Sequence, residues 1–359
     1  MNSPATATGR HHETVPRTAT PASLDGLITA ARAGDEAAFE RLIAPYRGDI
    51  HALCYRMLGS LHDAEDASQE ALLRAWRAVG RFEGRSSFRT WLHRIATNVC
   101  LDEIARRPKR VLPIDYGPPA RPGAPNPARL EAPIWLEPYP DGSIEIADDA
   151  IGPEARYEQR ETLELAFVAA LQHLPPRQRA VFVLRDVLGL PAAAVAQMLS
   201  ASTVSVNSAL QRARDTISSR LPDHSQQEEL RRLGDDRLRE FVSRLVRAFE
   251  RGQIAAIMAL LAEDAVFSMP PYPAWYQGRD RIADSWLMPQ ESPTGLRFLS
   301  TRANGQLALG VYKLDAARNL YMPNCLEVFG LRGELISEVT SFRNPELIRV
   351  FGLPDKLRP

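Results

Sequence analysis

The chain has 359 residues, which is more than one typical domain of about 100–200 residues, so two or three domains are expected. It carries 44 basic and 44 acidic side chains, which excludes a uniformly basic nucleic-acid coat but leaves room for charge segregated along the chain. Its three cysteines, Cys54, Cys100 and Cys325, are far apart, which excludes a CxxC metal signature and favours a reduced, cytoplasmic compartment. The sequence holds no apolar run of about 18 residues, so a membrane span is not expected.

Residues 1–22 are polar and rich in proline and threonine, and they lack the apolar core of a secretory signal. They are predicted to form a disordered leader, to which His11 and His12 belong. No metal site, no cofactor and no membrane partner is predicted for the chain.

Residues 23–107 repeat apolar side chains every three or four positions, which predicts a helical module. Charge is segregated within it. Residues 35–70 hold eight acids and three bases, whereas residues 74–110 hold ten bases and three acids. The acidic part suits a basic protein surface, and the basic part suits phosphate.

The stretch FEGRSSFRTWLHRIATN, residues 82–98, predicts a loop around Gly84 and then a helix capped by Ser86 or Ser87. Unstacked bases need aromatic pockets, hydrogen-bonding groups and nearby arginines, and this stretch supplies all three. On composition alone, a plain core helix with a solvated arginine face is the favoured alternative. Helical periodicity places two sets on opposite faces: Phe88, Trp91, Leu92, Ile95 and Val99 against Arg89, His93, Arg94 and Thr97.

Residues 108–153 contain eleven prolines, so neither a regular helix nor a central strand is expected there. The segment is predicted to be a stiff, extended linker. Its apolar run IWLEPY is expected to dock on a neighbouring surface.

Residues 154–222 are again helical, with a break at Gly189 and Pro191. The short helix AAAVAQML, the turn SAS and a helix from about Thr203 to Arg220 form a helix-turn-helix signature, in which Leu199 and Val206 pack the two helices together. An ordinary helical hairpin is the alternative. Residues 226–359 begin with a charged helix and continue as alternating strands, which predicts an α+β module.

The order of motifs DAEDASQEALLRAW, FEGRSSFRTWLHRIATN and LPPRQRAVFVLRDVLGL, followed by the helix-turn-helix, resembles the extracytoplasmic-function (group 4) sigma factors of bacterial RNA polymerase. The resemblance implies a multidomain fold with two all-α DNA-binding modules, a region 2 bundle and a region 4 helix-turn-helix. It also implies an alternative sigma factor for transcription initiation, not an enzyme. Its partners would be the β and β′ subunits of core RNA polymerase and promoter DNA.

The resemblance assigns two sets of residues in the first module. The set that would bind core polymerase is Asp66, Gln69, Glu70 and Arg74. The set that would melt and read the −10 element is Phe82, Arg85, Ser87, Phe88, Arg89, Trp91, Arg94 and Asn98.

A third set lies on the second helix of the helix-turn-helix, which would read the −35 element. Asn207 and Ala209 stand where many relatives have a base, so the −35 sequence is not predicted. The residues of this set are Ser205, Asn207, Ser208, Gln211, Arg212 and Arg214.

The phrases LLAEDAVFSMPP and WYQGRDRIADSW resemble the SnoaL-like fold, a cone of helices wrapped by a curved sheet, which is fused to an actinobacterial subgroup of sigma factors of the SigG and SigJ type. Three roles stay open for this domain: catalysis with a carboxylate base, sensing of a small ligand, or a regulatory surface that acts within the chain. Whether it activates or inhibits is also open. The residues expected to line its pocket are Asp264, Trp275, Tyr276, Trp286, Asn304, Tyr312 and Glu327, together with Glu338.

Overall fold

The computed structural model describes residues 23–121, 127–130, 134–143, 160–286 and 295–359. The predicted leader, with His11 and His12, lies outside these residues, as do three parts of the predicted linker. Within the described ranges, no helix combines the length and the apolar character needed to cross a membrane.

The N-terminal module is a bundle of five helices: α1 (Leu24–Arg32), α2 (Glu36–Ile43), α3 (Arg47–Leu58), α4 (Leu61–Ala78) and α5 (Phe88–Ile104). Side chains cap four of them, because Ser23, Asp35, Ser60 and Ser87 each accept a backbone N–H of the first turn. Helix α3 is buried along most of its length, so it forms the centre of the module. It ends at Gly59, whose φ of 68° is a left-handed conformation that suits glycine.

In its described residues, the segment after α5 is mostly irregular and is held against its neighbours. They include a short helix, α6 (Pro113–Tyr116), and a 3₁₀ turn at Asp141–Ser143, which corrects the expectation that no regular helix forms there. Proline is tolerated in the first turn of a helix, where its missing N–H leaves no bond unmade. The apolar run docks as predicted, since Trp135, Leu136 and Tyr139 are buried.

The middle module consists of α7 (Leu165–Gln172), α8 (Pro176–Phe182), α9 (Ala192–Met198) and α10 (Thr203–Ser218), with a π-helical turn at Val183–Val187. Ser202 caps α10 by accepting the N–H of Ser205 at 3.1 Å. Val195, Leu199 and Val206 are buried between α9 and α10, as the helix-turn-helix pattern predicts.

The C-terminal domain combines helices with one curved sheet. Its helices are α11 (Gln226–Leu233), α12 (Asp235–Glu250), α13 (Ile254–Met258), α14 (Arg279–Trp286) and α15 (Glu346–Val350). Its strands are β1 (Leu261–Ser268), β2 (Trp275–Gln277), β3 (Leu296–Ala303), β4 (Gln306–Asp315), β5 (Leu320–Arg332) and β6 (Leu335–Phe342). The strand order is β2-β1-β6-β5-β4-β3, in which β1 and β6 are parallel and the other neighbours antiparallel.

The two faces of this sheet belong to two different cores. On the inner face, Phe241 and Phe249 of α12 pack with Phe267 and Phe329 of the strands. The outer face contributes to the core of the helical modules, to which Ala303, Ala308, Leu326, Val328 and Phe342 belong. The N-terminal module, the middle module and the sheet therefore bury one continuous apolar surface.

Asn304, in the turn between β3 and β4, joins these parts by hydrogen bonds. Its Nδ2 donates to Tyr55 Oη at 2.8 Å and to the carbonyl of Leu163 at 2.7 Å. Its Oδ1 accepts the N–H of Tyr139 at 2.8 Å, and its own N–H donates to the Tyr139 carbonyl at 2.8 Å. One residue thereby ties the sheet to α3, to the linker and to the segment before α7.

Glu164, also buried, links the middle module to the C-terminal domain. Its carboxyl accepts the N–H groups of Gln226 at 3.0 Å and Gln227 at 2.8 Å, at the first turn of α11. Burial raises the pKa of Glu164 to about 7, although these two hydrogen bonds favour the ionised form.

The substitution Asn304→Gly is expected to lower the free energy of unfolding by about 3 kcal/mol, because it leaves buried groups on Tyr139 and Leu163 without partners. Glycine tolerates the φ of 56°, so backbone strain does not contribute. Urea denaturation measures the effect. The matched control is Asn319→Gly, at an exposed residue with φ of 49°, which should change stability by less than about 0.5 kcal/mol. Equal losses in both variants would contradict the role of Asn304.

The raised pKa of Glu164 predicts a pH-dependent stability. The unfolded carboxyl ionises near 4.5 and the folded one near 7, so its contribution is full below the lower value and is lost as the pH rises through the higher one. Between about pH 5 and pH 8, the wild-type chain should lose about 2 kcal/mol of unfolding free energy relative to Glu164→Gln. Urea denaturation at several pH values tests this, and parallel curves for the two chains would contradict it.

Candidate functional site

The residues predicted to bind core polymerase lie on the solvent side of α4. Asp66 and Gln69 are exposed, and Glu70 and Arg74 are half-buried. Arg74 donates to Glu70 at 2.7 Å and to Asp102 of α5 at 3.2 Å, and these carboxylates raise its pKa. Two of the four predicted side chains are therefore already paired with each other.

A groove of about 300 Å³ runs beside α4, between it and α2. Phe39, Leu72, Leu73 and Trp76 form its apolar lining, and Gln69 borders it. Leu73 is 51% exposed, although it belongs to the periodic apolar pattern that predicts this helix. The signal that was missed is the helical spacing of the buried alanines Ala67, Ala71 and Ala75, which places Leu73 on the opposite side of α4.

Four aromatic rings cluster where α5 begins. Phe82 and Phe88, predicted to contact −10 bases, are only 6% and 3% exposed. Their ring centroids lie 5.2 Å and 5.4 Å from that of half-buried Trp91, and Phe88 also lies 5.8 Å from Tyr46. The structure therefore places the two phenylalanines as a support beneath Trp91 rather than at the surface.

A cavity of about 470 Å³ opens over this cluster, and Trp91 and Phe82 line it. Its polar lining comes from the exposed loop before α5, from Arg94 and from Gln197 of α9: Arg81, Glu83, Arg85, Ser86, Arg94 and Gln197. Gly84 in that loop has a φ of 71°, and Ser87 caps α5 by accepting the N–H of Thr90 at 3.1 Å, as one of the two predicted alternatives. The helix-turn-helix module thus borders the same cavity as the −10 candidates.

Only some of the α5 residues that were predicted to face solvent are exposed in the structure. Arg94 and Asn98 are exposed, and half-buried Arg89 pairs with Asp49 at 3.2 Å. His93 and Thr97, predicted on that face, are buried instead. Burial lowers the pKa of His93, whose Nδ1–H donates to the Arg89 carbonyl at 2.7 Å. The correction follows from α5 packing on α3 and on α8, which leaves a narrow exposed face.

All six residues predicted to read −35 DNA are exposed on α10. Two already have partners, because Gln211 donates to Asp215 at 2.9 Å and Arg214 holds both carboxylate oxygens of Asp186 at 2.7 Å. Sequence reasoning missed Val204, which is 73% exposed near the start of the same helix. An apolar side chain there has no role in the core.

The predicted pocket residues of the C-terminal domain do not meet in one place. Tyr276 belongs to the inner core, and Glu327 alternates along β5 with Cys325 and Phe329, which place it on the same inner face. The side chain of Trp286 lies outside the described residues.

The other candidates lie elsewhere. Asp264 is exposed and paired with Arg332, which lowers its pKa. Trp275 donates from Nε1 to the Gly117 carbonyl at 2.7 Å, and Tyr312 donates to the Pro354 carbonyl at 2.8 Å. Asn304 holds the helical modules, as described above. Half-buried Glu338 accepts from Thr340, which contacts Ser268 on the outer face. The local sequence placed these residues on strands and turns, but not on a particular face of the curved sheet.

Among the residues that the structure describes, no three His, Cys, Asp or Glu side chains are grouped as metal ligands. The three cysteines are buried and form no disulfide. The helical modules present three surfaces suited to binding: an apolar groove, an aromatic cavity with arginines, and an exposed helix with amide and arginine side chains.

Three family models match the chain in the order of its modules. Sigma-70 region 2 matches residues 42–110, Sigma-70 region 4 matches residues 164–217, and the SnoaL-like domain matches residues 242–339. The first match covers the α4 side of the groove and the α5 side of the aromatic cavity, and the second covers most of the helix-turn-helix.

Known relatives show the same organisation. The chain is 43% identical over 343 residues to the ECF RNA polymerase sigma factor SigG of Mycobacterium tuberculosis, covering 93% of this chain and 90% of that protein. It is 31% identical over 196 residues to SigW of Bacillus subtilis, covering 55% of this chain and 95% of that one. The crystal structure of Mycobacterium tuberculosis SigJ aligns with a TM-score of 0.55 at 23% identity, over 86% of this chain and 97% of that one, which shows the fold. The predicted fold class is confirmed, and the chain belongs to the extracytoplasmic-function family of RNA polymerase sigma factors, which act in transcription initiation, with a SnoaL-like domain at its C-terminal end.

Proposed function

We propose that this sigma factor rests in a closed form, in which its C-terminal domain holds the −10 and −35 reading modules together, and that it opens to bind core polymerase and promoter DNA. The observation that carries the proposal is Gln197 of the helix-turn-helix, which borders the same cavity as Trp91. The −10 and −35 elements are about 25 base pairs apart, which is about 85 Å of B-DNA at 3.4 Å per base pair. Two modules that share one cavity cannot reach both elements, so they must separate.

The groove beside α4 is the proposed contact with the β′ subunit. Exposed Leu73 supplies an apolar anchor, and Glu36 and Glu40 border the groove, where Arg47 pairs with Glu40 and leaves Glu36 as the unpaired charge. An apolar helix face with basic flanks on the partner would complement it. Contact with the β subunit is proposed for the helix-turn-helix module and rests on the family alone.

The cavity over Trp91 is the proposed pocket for unpaired −10 bases. Its volume of about 470 Å³ lies within the usual range of ligand sites, and it offers one accessible indole with arginines for phosphate. Phe82 and Phe88 would act by holding Trp91, while Arg85, Arg94 and Asn98 are exposed for contact with the strand. On α10, Asn207, Gln211 and Arg212 are proposed to read −35 base edges.

The C-terminal domain is proposed to be a clamp rather than an enzyme. Asn304 and Glu164 bind it to both helical modules, and its sheet shares their core. Of the candidates for a catalytic pocket whose side chains are described, only Tyr276 and Glu327 face the interior. Sensing of a small ligand by that interior is the second candidate, because Glu327 places a carboxyl on the same face of β5 as the core residues Cys325 and Phe329.

Trp91→Ala and Leu73→Ala should separate the two binding surfaces. Loss of base stacking on Trp91 should reduce promoter opening by about 5- to 100-fold, and leave affinity for core polymerase nearly unchanged. Leu73→Ala should weaken core binding by about tenfold, as expected of a central apolar anchor. Permanganate footprinting of the −10 region and fluorescence anisotropy with core polymerase provide the two measurements. Equal loss of both properties in either variant would indicate a folding role instead.

Release of the clamp should increase transcription. Run-off assays would compare the full chain, a chain that ends at Leu221 and the full chain with Asn304→Gly. Both altered forms should yield several times more promoter-dependent transcript, whereas the exposed control Asn319→Gly should match the wild type. Transcript that falls in both altered forms would show that the domain activates, and no promoter-dependent transcript from any form would overturn the sigma assignment itself.

A further inference from the structure

The cavity over Trp91 is bordered by both helical modules, which a pocket for promoter DNA does not require. Gln197 of α9 lines it together with α5 and the loop before α5. The proposed closed form cannot hold a promoter, because its −10 and −35 reading modules share this one cavity. A ligand of the closed cavity is therefore smaller than a promoter strand.

The polar lining of the cavity carries an excess of positive charge that solvent can reach. It contains three arginines and one glutamate, and all four residues are exposed. Glu83 pairs with Arg85, and an exposed ion pair of this kind contributes little. Arg81 and Arg94 have no carboxylate partner among the residues that the structure describes. Two guanidinium groups are thus available at the cavity for an anion.

The aromatic side of the cavity is held in place by the core beneath it. The ring of half-buried Trp91 lies 5.2 Å from that of Phe82 and 5.4 Å from that of Phe88, measured between centroids. Both phenylalanines are buried in a close-packed core, so the indole has little freedom to turn away from the cavity. An accessible indole stacks on any nucleobase, because every base has a π face.

Gln197 adds an amide from the middle module. It is exposed, and its side chain has no hydrogen-bond partner within the described ranges. A carboxamide both donates and accepts, as the edge of a nucleobase requires. The groups that suit a base and those that suit phosphate therefore meet from two modules around about 470 Å³, which is within the usual range of small-molecule sites.

We propose that this cavity binds a free nucleoside triphosphate in the closed form, with the base stacked on Trp91 and bonded to Gln197, and the phosphates against Arg81 and Arg94. A nucleotide presents the base and the charge of a promoter strand but ends where the strand would continue. It touches α5 and α9 at once, so it favours the closed form over the open one. This role rests on the proposed closed form and names the chemistry of a ligand that holds it.

Isothermal titration of the full chain with ATP, in buffer without Mg²⁺, tests the site, and inorganic triphosphate serves as the ligand that lacks a base. ATP should bind the wild type, and inorganic triphosphate should bind about 5- to 100-fold more weakly, because it cannot stack on the indole. Trp91→Ala should remove this difference, whereas Trp91→Phe should keep most of it. Arg94→Ala should weaken the binding of both ligands by about tenfold.

Gln197→Ala tests whether the middle module takes part in the site. It should lower the affinity for ATP by about 2- to 10-fold, which corresponds to the loss of one hydrogen bond to a neutral group. The matched control is Gln253→Ala, at an exposed glutamine of the C-terminal domain, which should bind ATP like the wild type.

Three outcomes would overturn the proposal: no binding of ATP, equal affinity of the wild type for ATP and inorganic triphosphate, or equal affinity for ATP in the wild type and Gln197→Ala. Permanganate footprinting needs no nucleotide, so a −10 pocket that opens promoters in a chain that does not bind ATP would be recognised as such. Failure of the closed form would be seen separately, as unchanged run-off transcription of the Asn304→Gly chain.

Discussion

The arrangement of the whole chain depends on one buried amide, that of Asn304. A curved sheet with helices on one face must cover its other face, and here that cover is the two helical modules. Apolar burial of this kind is strong but not directional. The four hydrogen bonds of Asn304 supply the direction, because they fix the β3–β4 turn against Tyr55, Tyr139 and Leu163 at once. The same burial that stabilises the sheet thereby sets the relative position of the DNA-reading modules.

In the proposed closed form, this coupling would let the C-terminal domain control promoter recognition through the position of the helical modules. The proposed closed and open forms would differ in whether the outer face of the sheet and the Asn304 contacts are intact. A binding partner shifts such an equilibrium only by the difference between its affinities for the two forms. Core polymerase and promoter DNA would favour the open form, because only there are the −10 and −35 reading modules far enough apart to reach both promoter elements. Anything that bridges α5 and α9 would favour the closed one.

Much of this structure was predictable because its signals are local. Serine caps, Gly84 and the break at Gly189 and Pro191 are such signals. They predicted the ends of the helices and the position of the helix-turn-helix to within a few residues of those observed. The misses concern contacts between distant segments. Asn304 was expected to line the pocket of the C-terminal domain, but its side chain bonds to Tyr55, which is 249 residues away in the sequence. Likewise, periodicity placed His93 on an outer face because it cannot reveal which helices pack around α5.

The sequence predicted an aromatic pocket around Trp91, but not which of its rings are accessible, because this too depends on contacts between distant segments. Its aromatic composition was visible in the sequence, whereas the division into one accessible indole and two buried phenylalanines depends on Tyr46 and the rest of the core. Leu73 and Val204 show the converse case, in which apolar residues of periodic helices face solvent. Leu73 borders the groove beside α4, where a binding surface would account for it, whereas a singly exposed apolar residue such as Val204 needs no special account.

Ion pairs within the modules connect the zero net charge of the chain with its binding to DNA. Arg89 and Arg214, two of the arginines predicted to contact DNA, are held by Asp49 and Asp186 in the same modules. Such pairs orient a guanidinium, but they also reduce the positive potential that attracts phosphate. A sigma factor built in this way would bind free DNA weakly, since each phosphate contact must compete with an internal carboxylate. Stable promoter binding would then require the additional contacts that the polymerase brings, which ties DNA recognition to assembly of the complete enzyme.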